Sequence, residues 1–280
     1  MNKRIPEITL NDGVTLPVIG LGTYTLKGND GANAIQSAID IGYRLIDSAY
    51  NYENEGTVGE AVRRSSVSRE QLRITSKLPG RYQEYDKAVY TIQESLYRAH
   101  LDYYDLYLIH WPNPSMDLYV EAWQALIDAK KWGLIRSIGV CNFLPEHIER
   151  LEKETGVKPS INQIELHPYF NQEQQRKWHE EHNITTESWS PFTRGLKDLQ
   201  IETIQTIAEQ HDKSISQVIL RWHYQLGAIA IPKSSSPVRQ LENISIFDFS
   251  LDETEMSMIS GLTRPDGRIN NQDPAIYEEF

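Results

Sequence analysis

The chain is nearly without cysteine: Cys141 is the only one in 280 residues. That excludes an intramolecular disulfide and fits a reducing cytoplasm. No run of 18 apolar residues occurs, and the opening MNKRIPEITLNDGVTLPVIG lacks an apolar core of signal-peptide length, so neither a spanning helix nor a leader is expected. Basic residues are in deficit, with 28 Lys and Arg against 39 Asp and Glu and a formal charge of -11. Such a balance argues against general nucleic-acid binding. No Pro/Gly/Ser-rich linker or long charge block divides the sequence. One domain over residues 1–280 is therefore expected, a size that single α/β barrels reach.

What is present is alternation. The segment EITLNDGVTLPVIGLGT reads as an N-terminal β-hairpin, with two β-type runs flanking Asn11-Asp12-Gly13. Eight short apolar runs then read as strands: Val18–Thr23, Arg44–Ser48, Arg73–Leu78, Asp105–His110, Ser137–Asn142, Ile161–Glu165, Thr185–Ser190 and Ala228–Lys233. Between them lie segments of helical period, such as YDKAVYTIQESLYRAHL and SISQVILRWHYQLG. Strand–helix alternation implies parallel pairing through right-handed crossovers. Eight such units close most naturally into a (β/α)8 TIM barrel, here with the hairpin in front and a short C-terminal extension behind. A doubly wound sheet would carry a Gly-rich turn after its first strand. GLGTYT has Gly20 and Gly22, but Thr25 stands where the third glycine belongs.

In a barrel, chemistry gathers at the C-terminal ends of the strands. Read in order, those ends carry Gly22, Thr23 and Tyr24; Asp47 with Tyr50 and Tyr52; Lys77; His110 and Trp111; Cys141 and Asn142; Gln163, Glu165 and His167; Trp189 and Ser190; and Lys233 with Ser234. A buried lysine and a buried aspartate are each costly alone and tolerable together. An ammonium beside a phenol favours the phenolate, so Lys77 is expected to lower the pKa of Tyr52 from about 10. A tyrosine so placed gives a proton to a carbonyl oxygen that is becoming an alkoxide, while the His110 imidazole orients that oxygen. Each residue taken singly has an ordinary reading as a cap, a surface aromatic, a loop lysine or a strand-end histidine. Joint placement on successive strands favours the catalytic one.

IDSAYNYENE around Asp47 and Tyr52, ITSKL around Lys77, DLYLIHWP around His110, NQIELHPY and IPKSSSPVRQLEN together resemble the aldo-keto reductase superfamily. The likeness covers nearly the whole chain and is strongest to small bacterial members such as the 2,5-diketo-D-gluconate reductases. It implies NADPH-dependent reduction of small aldehydes and ketones, with Tyr52 as general acid, Lys77 and Asp47 tuning it and His110 orienting the carbonyl. It further implies that Asn142 and Gln163 hold the nicotinamide carboxamide and that Trp189 stacks on the ring. Gly22, Thr23, Asp47 and Ser190 complete the cofactor contacts expected on the rim. Serine usually precedes the asparagine in this family. Cys141 replaces it here and reads equally well as a small buried residue.

After the last strand, Lys233, Ser234, Ser235 and Arg239, with Asn243 behind them, stand at a helix N-terminus and suit a phosphate. This favours NADP(H) over NAD(H). Arg194 reads as a pyrophosphate contact or as a surface residue. Tyr24, Tyr50 and Trp111 are expected to wall the substrate pocket, and His167 to be structural. A monomer is expected, with no metal, nucleic acid or membrane partner. Two other readings stay open on the residues alone. One is a metal-dependent barrel hydrolase using His110, His167, Asp47 and Glu165; the other is a non-catalytic NADPH-binding sensor.

Overall fold

The computed structural model describes residues 5–193, 195, 199 and 201–280. Strands β1 (Glu7–Thr9) and β2 (Thr15–Pro17) pair antiparallel as the hairpin, turning through Gly13 at φ +87°. A side chain at that angle is strained, whereas glycine adopts it freely. The barrel strands are β3 (Leu21–Gly22), β4 (Leu45–Asp47), β5 (Arg73–Leu78), β6 (Tyr104–Ile109), β7 (Ile135–Cys141), β8 (Ile161–Glu165), β9 (Thr185–Trp189) and β10 (Ile229–Ala230). They pair in parallel, in sequence order, from β3 to β10. Helices α1 (Gly28–Ile41), α2 (Glu55–Arg64), α3 (Tyr85–Ala99), α4 (Tyr119–Lys131) and α5 (Pro145–Thr155) cover the first half of the sheet. Beyond them come α6 (Glu173–Glu181), α7 (Glu202–Gln210), α8 (Ile215–Gln225), α9 (Pro237–Ile244) and α10 (Glu253–Ser260).

The expected barrel is present, and its seam accounts for the two strands that fall furthest short of their expected lengths, β3 and β10. Between β3 and β10 only the bridges Ile19↔Ala230 and Gly22↔Lys233 form. Pro232 has no N–H to extend the ladder, and only its carbonyl is used, by the Gly22 N–H at 3.2 Å. The seam is also tight. A Cβ on Gly22 would lie 2.7 Å from the Ile231 carbonyl oxygen. Strands β7 and β9 stop one residue early because Asn142 (φ +62°) and Ser190 (φ +50°) turn left-handed at the rim.

Period-two alternation divides the side chains. Leu45, Leu106, Leu108, Ile161 and Ile229 point into the barrel, where Leu10 and Leu16 of the hairpin close its floor. Ile46, Ile74, Tyr107, Ile109 and Val140 point outward against the helices. Two residues above the inward apolar layer the same alternation delivers Asp47 and Gln163, with Cys141 and Glu187 in register beside Gln163. The interior thus changes from apolar to polar in a single step, and the site begins there.

Candidate active site

A cavity of about 750 Å³ opens at the C-terminal ends of the strands, within the size range of small-ligand sites. At its base Lys77 is fully buried. Its ammonium donates to Asp47 Oδ1 (2.8 Å), Asp47 Oδ2 (2.7 Å) and the Ser48 carbonyl (2.8 Å), which uses all three N–H groups. Burial opposes the charge on Lys77, but the Asp47 carboxylate outweighs it and the pKa moves up. Lys77 is therefore a fixed cation at neutral pH.

Tyr52 sits above this pair, its ring centroid 5.1 Å from Lys77 Nζ. A 3₁₀ turn over Tyr50–Tyr52 places it, and Glu53 ends that turn in the left-handed region (φ +53°). Asn54 anchors the turn from below. Its amide nitrogen donates to the carbonyls of Thr23 (2.7 Å) and Leu26 (3.0 Å), and its oxygen accepts from Ser48 Oγ at 2.7 Å. The expected lowering of the Tyr52 pKa is not what the site produces. Burial comes first and raises it, Lys77 pulls it back only in part, and Asp47 pushes it up further. The resting phenol keeps its proton, which is the state a proton donor needs.

Tyr50 is also corrected. It is absent from the cavity wall and packs against Arg98, whose guanidinium carbon lies 4.0 Å from the ring centroid and whose Nη2 donates to the hydroxyl at 2.7 Å. Residues two apart in a three-per-turn helix point in different directions, so one short turn sends its two tyrosines to opposite surroundings. Tyr24 and Trp111 do line the cavity. The Tyr24 ring lies edge-on to Tyr52 at 5.2 Å, and Trp111 packs on Tyr277 of the C-terminal tail at 4.4 Å.

His110 hangs from the end of β6, where its N–H donates to the Leu78 carbonyl (2.9 Å). Its ring faces Tyr52 with centroids 6.0 Å apart. On its other side Nδ1 lies 2.7 Å from Glu279 Oε1, a close approach with the N–H off the line of a well-formed hydrogen bond. Glu279 and Asn54 were not expected from the sequence. An acidic pair at the end of a tail without periodicity carries no signal that it returns to the rim.

Asn142 links the far side of the site. Its amide nitrogen donates to the His110 carbonyl (3.0 Å), and its oxygen accepts from Trp189 Nε1 (2.8 Å). Gln163 turns its amide nitrogen inward, to Asp47 Oδ1 (2.9 Å) and Glu187 Oε2 (2.8 Å). Its Oε1 meets only the Cys141 thiol, at 3.7 Å, and so keeps acceptor capacity toward the cavity.

Glu187 is fully buried and its Oε1 has no partner among the described residues. Burial first, and Asp47 second, push its pKa up to about 8. Because that value exceeds the unfolded-chain value of about 4.3, the stability linked to this group is fully present below the lower value. It is lost as pH rises through the higher one. Replacing Glu187 by Gln is expected to stabilise the fold by roughly 1–3 kcal/mol at pH 7. The gain should fade as melting is repeated toward pH 4; a gain independent of pH would contradict a neutral buried carboxyl.

At the cavity mouth Lys233 lines the wall. Ser235 and Arg239 are exposed beside it at the start of α9, and Ser234 is buried, its Oγ bonded to the Ser236 backbone. Neither Lys233 nor Arg239 pairs with a carboxylate among the described residues. Asn243 lies deeper, buried, with its side chain on Tyr43. Arg194 lies outside the described residues. Among the described residues no three or more His, Cys, Asp or Glu side chains gather as a metal site. His167 is buried, with Nε2 bonded to Glu165 at 2.9 Å.

Comparison with known proteins agrees with this geometry. Residues 18–264 match the profile of the Aldo/keto reductase family. The chain is 50% identical over 277 residues to 2,5-diketo-D-gluconic acid reductase B of Corynebacterium sp., covering 99% of each protein. It is 45% identical to methylglyoxal reductase DkgA of Escherichia coli, over 91% of this chain and 92% of that one. A Bombyx mori aldo-keto reductase crystallised with NADP superimposes with a TM-score of 0.89 at 35% identity, over 99% of both chains. A Gox0644 variant in complex with NADPH gives a TM-score of 0.93 at 42% identity, over 99% of this chain and 100% of that one. The chain belongs to the aldo/keto reductase family.

Proposed function

We propose that this protein reduces small aldehydes and ketones to alcohols with NADPH, using Tyr52 as the proton donor. The observation that carries this reading is the protonated Tyr52 phenol set between the Lys77–Asp47 ion pair and the His110 ring. When bound, NADPH supplies the hydride. Tyr52 delivers its proton to the carbonyl oxygen as that oxygen gains charge. His110 orients the same oxygen, and the Lys77 cation stabilises the phenolate left behind.

The residues present suit the cofactor. Gln163 Oε1 and Asn142 stand where a carboxamide needs partners, and Trp189 offers a ring face beside them. Gly22, Thr23 and Ser190 line the same wall. Lys233 and Arg239, which pair with no carboxylate among the described residues, stand with Ser234 and Ser235 where they suit a phosphate in an acidic protein. Arg239→Ala is expected to raise KM for NADPH by about ten- to a hundredfold, the worth of one hydrogen bond to a charged group, and to leave KM for NADH nearly unchanged. Equal effects on both would remove Arg239 from the 2′-phosphate.

The substrate class proposed is the small, polar carbonyl compound, as the names of the Corynebacterium and E. coli relatives suggest. The aromatic walls from Tyr24 and Trp111 discriminate weakly among such molecules. Steady-state NADPH oxidation against aldehydes, ketones and vicinal dicarbonyls tests this: turnover should be highest with small dicarbonyls such as methylglyoxal, and no turnover with any carbonyl would overturn it. The reading places a monomer in a reducing compartment, where Cys141 remains a buried free thiol.

A further inference from the structure

The chain after α10 returns to the catalytic rim, and two fastenings hold it there. The far one is at Glu279, where Asn113, in the loop after β6, donates to the backbone carbonyl (2.8 Å) and accepts from the N–H (3.0 Å). The near one is the loop after β8. There the Tyr169 carbonyl accepts from the Arg264 N–H (3.1 Å), and the Asn171 side chain donates to the Ser260 carbonyl (2.8 Å). The Arg268 guanidinium carbon lies 4.7 Å from the Phe170 ring centroid. Between the two fastenings, Ile269, Asn270 and Gln272 form part of the cavity wall. That stretch has little structure of its own, since Asn270 and Asn271 are both left-handed (φ +53° and +52°) within its single 3₁₀ turn. Among the described residues only one hydrogen bond ties residues 268–276 to the barrel, from the Ile269 N–H to Glu165 Oε1 at 2.7 Å; the rest stay inside the tail.

Glu165 is itself firmly held. It closes β8, is buried, and stands in register with Trp189 on β9. The same Oε1 meets His167 Nε2 at 2.9 Å, and the Glu165 backbone carbonyl accepts from the Gln172 side-chain amide. His167 is fully buried with no partner for Nδ1 among the described residues, so Glu165 is the one hydrogen-bond partner of its ring. We propose that Glu165 is a positioning residue for the substrate wall: backed by His167, it fastens the Ile269 backbone and so holds Ile269, Asn270 and Gln272 against the cavity. A peptide N–H that loses its acceptor must find water, and the stretch then loosens outward. Tyr52, Lys77 and His110 are held by ties that do not pass through Glu165. The consequence is confined to carbonyl compounds large enough to reach that wall, and falls on their binding rather than on the chemical step. This inference rests on the reductase reading for its kinetic consequence, but the fastening itself does not.

The test compares the full-length protein with Glu165→Ala, which removes the acceptor, and Glu165→Gln, which keeps an acceptor oxygen. Ile269→Pro removes the donor from the other side. Position 269 opens the 3₁₀ turn, and Arg268 before it is already extended (φ −63°, ψ 128°), as a residue preceding proline must be. Ile269→Ala is its control, since it also loses the side chain but keeps the N–H. Hydrogen exchange of the tail peptide, followed by mass spectrometry, should quicken about tenfold in Glu165→Ala, roughly the worth of one hydrogen bond. It should quicken likewise in Ile269→Pro relative to Ile269→Ala, and stay as in the wild type in Glu165→Gln. In Glu165→Ala the KM for phenylglyoxal should rise by a similar factor with kcat kept, while the KM for methylglyoxal and the Kd for NADPH stay nearly unchanged. Should Glu165→Ala fail to fold, Ile269→Pro against Ile269→Ala carries the same comparison. Unchanged exchange on loss of the acceptor or the donor, or an equal effect on both carbonyl compounds, would overturn the proposal. If the wild type reduced no carbonyl, the reductase reading would fail, and exchange would still decide whether Glu165 holds the tail.

Discussion

Replacing Tyr52 by Phe should lower turnover for carbonyl reduction by about 10²–10⁴-fold, the usual contribution of a positioned proton donor, while the Kd for NADPH stays close to that of the wild type. The substitution removes one hydroxyl from a ring whose edge contacts with Tyr24 and His110 remain, so folding and the cavity should survive. The pH dependence follows from the upward shift of the phenol. Reduction needs the protonated form, so its rate should hold from neutral pH upward and fall only above the ordinary tyrosine range near pH 10. Oxidation of an alcohol needs the phenolate, and its rate should climb with pH over the same interval. Opposite slopes in the two directions, both abolished in Tyr52→Phe, would identify this hydroxyl as the titrating group. Steady-state kinetics in both directions across that range checks the expectation.

Replacing Lys77 by Met should be damaging in two separable ways. The first is stability. Lys77 and Asp47 are both buried, and removing only the cation leaves an uncompensated carboxylate, a loss on the order of 3–5 kcal/mol. The Gln163 amide still donates to Asp47 but carries no charge. The double variant Asp47→Asn/Lys77→Met should therefore recover part of the stability lost by Lys77→Met alone. Additive losses, measured by urea unfolding, would contradict a mutually dependent pair. The second effect is chemical. Lys77 is what pulls the Tyr52 pKa down against burial, so its loss should penalise oxidation, which needs the phenolate, more than reduction.

How much of this could be read from residues alone follows from what alternation does and does not encode. Asp47, Lys77, His110 and Asn142 were legible because each stands at the end of an apolar run, and parallel pairing brings such ends to one rim, with Gln163 on the neighbouring strand. The seam was less so, since Pro232 interrupts a ladder that the apolar pattern continues. On the sequence alone Tyr50 reads as a pocket wall beside Tyr52, the proton donor. The 3₁₀ turn that separates them depends on the tie from Asn54 to Thr23 and Leu26, which has no local signature.

The sign of the Tyr52 shift was missed for a related reason: charge spacing is written in the strands, but the depth of burial that outweighs it is not. Glu279 was out of reach altogether. Its partners Asn51, Asn113 and Gly80 lie between 166 and 228 residues away in sequence, and a short polar tail has no periodicity to point it inward.

A single-turnover experiment with the wild-type protein tests the role of Tyr52 most directly. NADPH is bound first, excess methylglyoxal is added, and loss of reduced nicotinamide is followed alongside the alcohol formed. One alcohol should appear for each NADPH consumed, with no burst of either alone, and Tyr52→Phe loaded to the same extent should show neither. Tight NADPH binding without consumption, or consumption that persists in Tyr52→Phe, would contradict a reductase whose proton comes from this tyrosine.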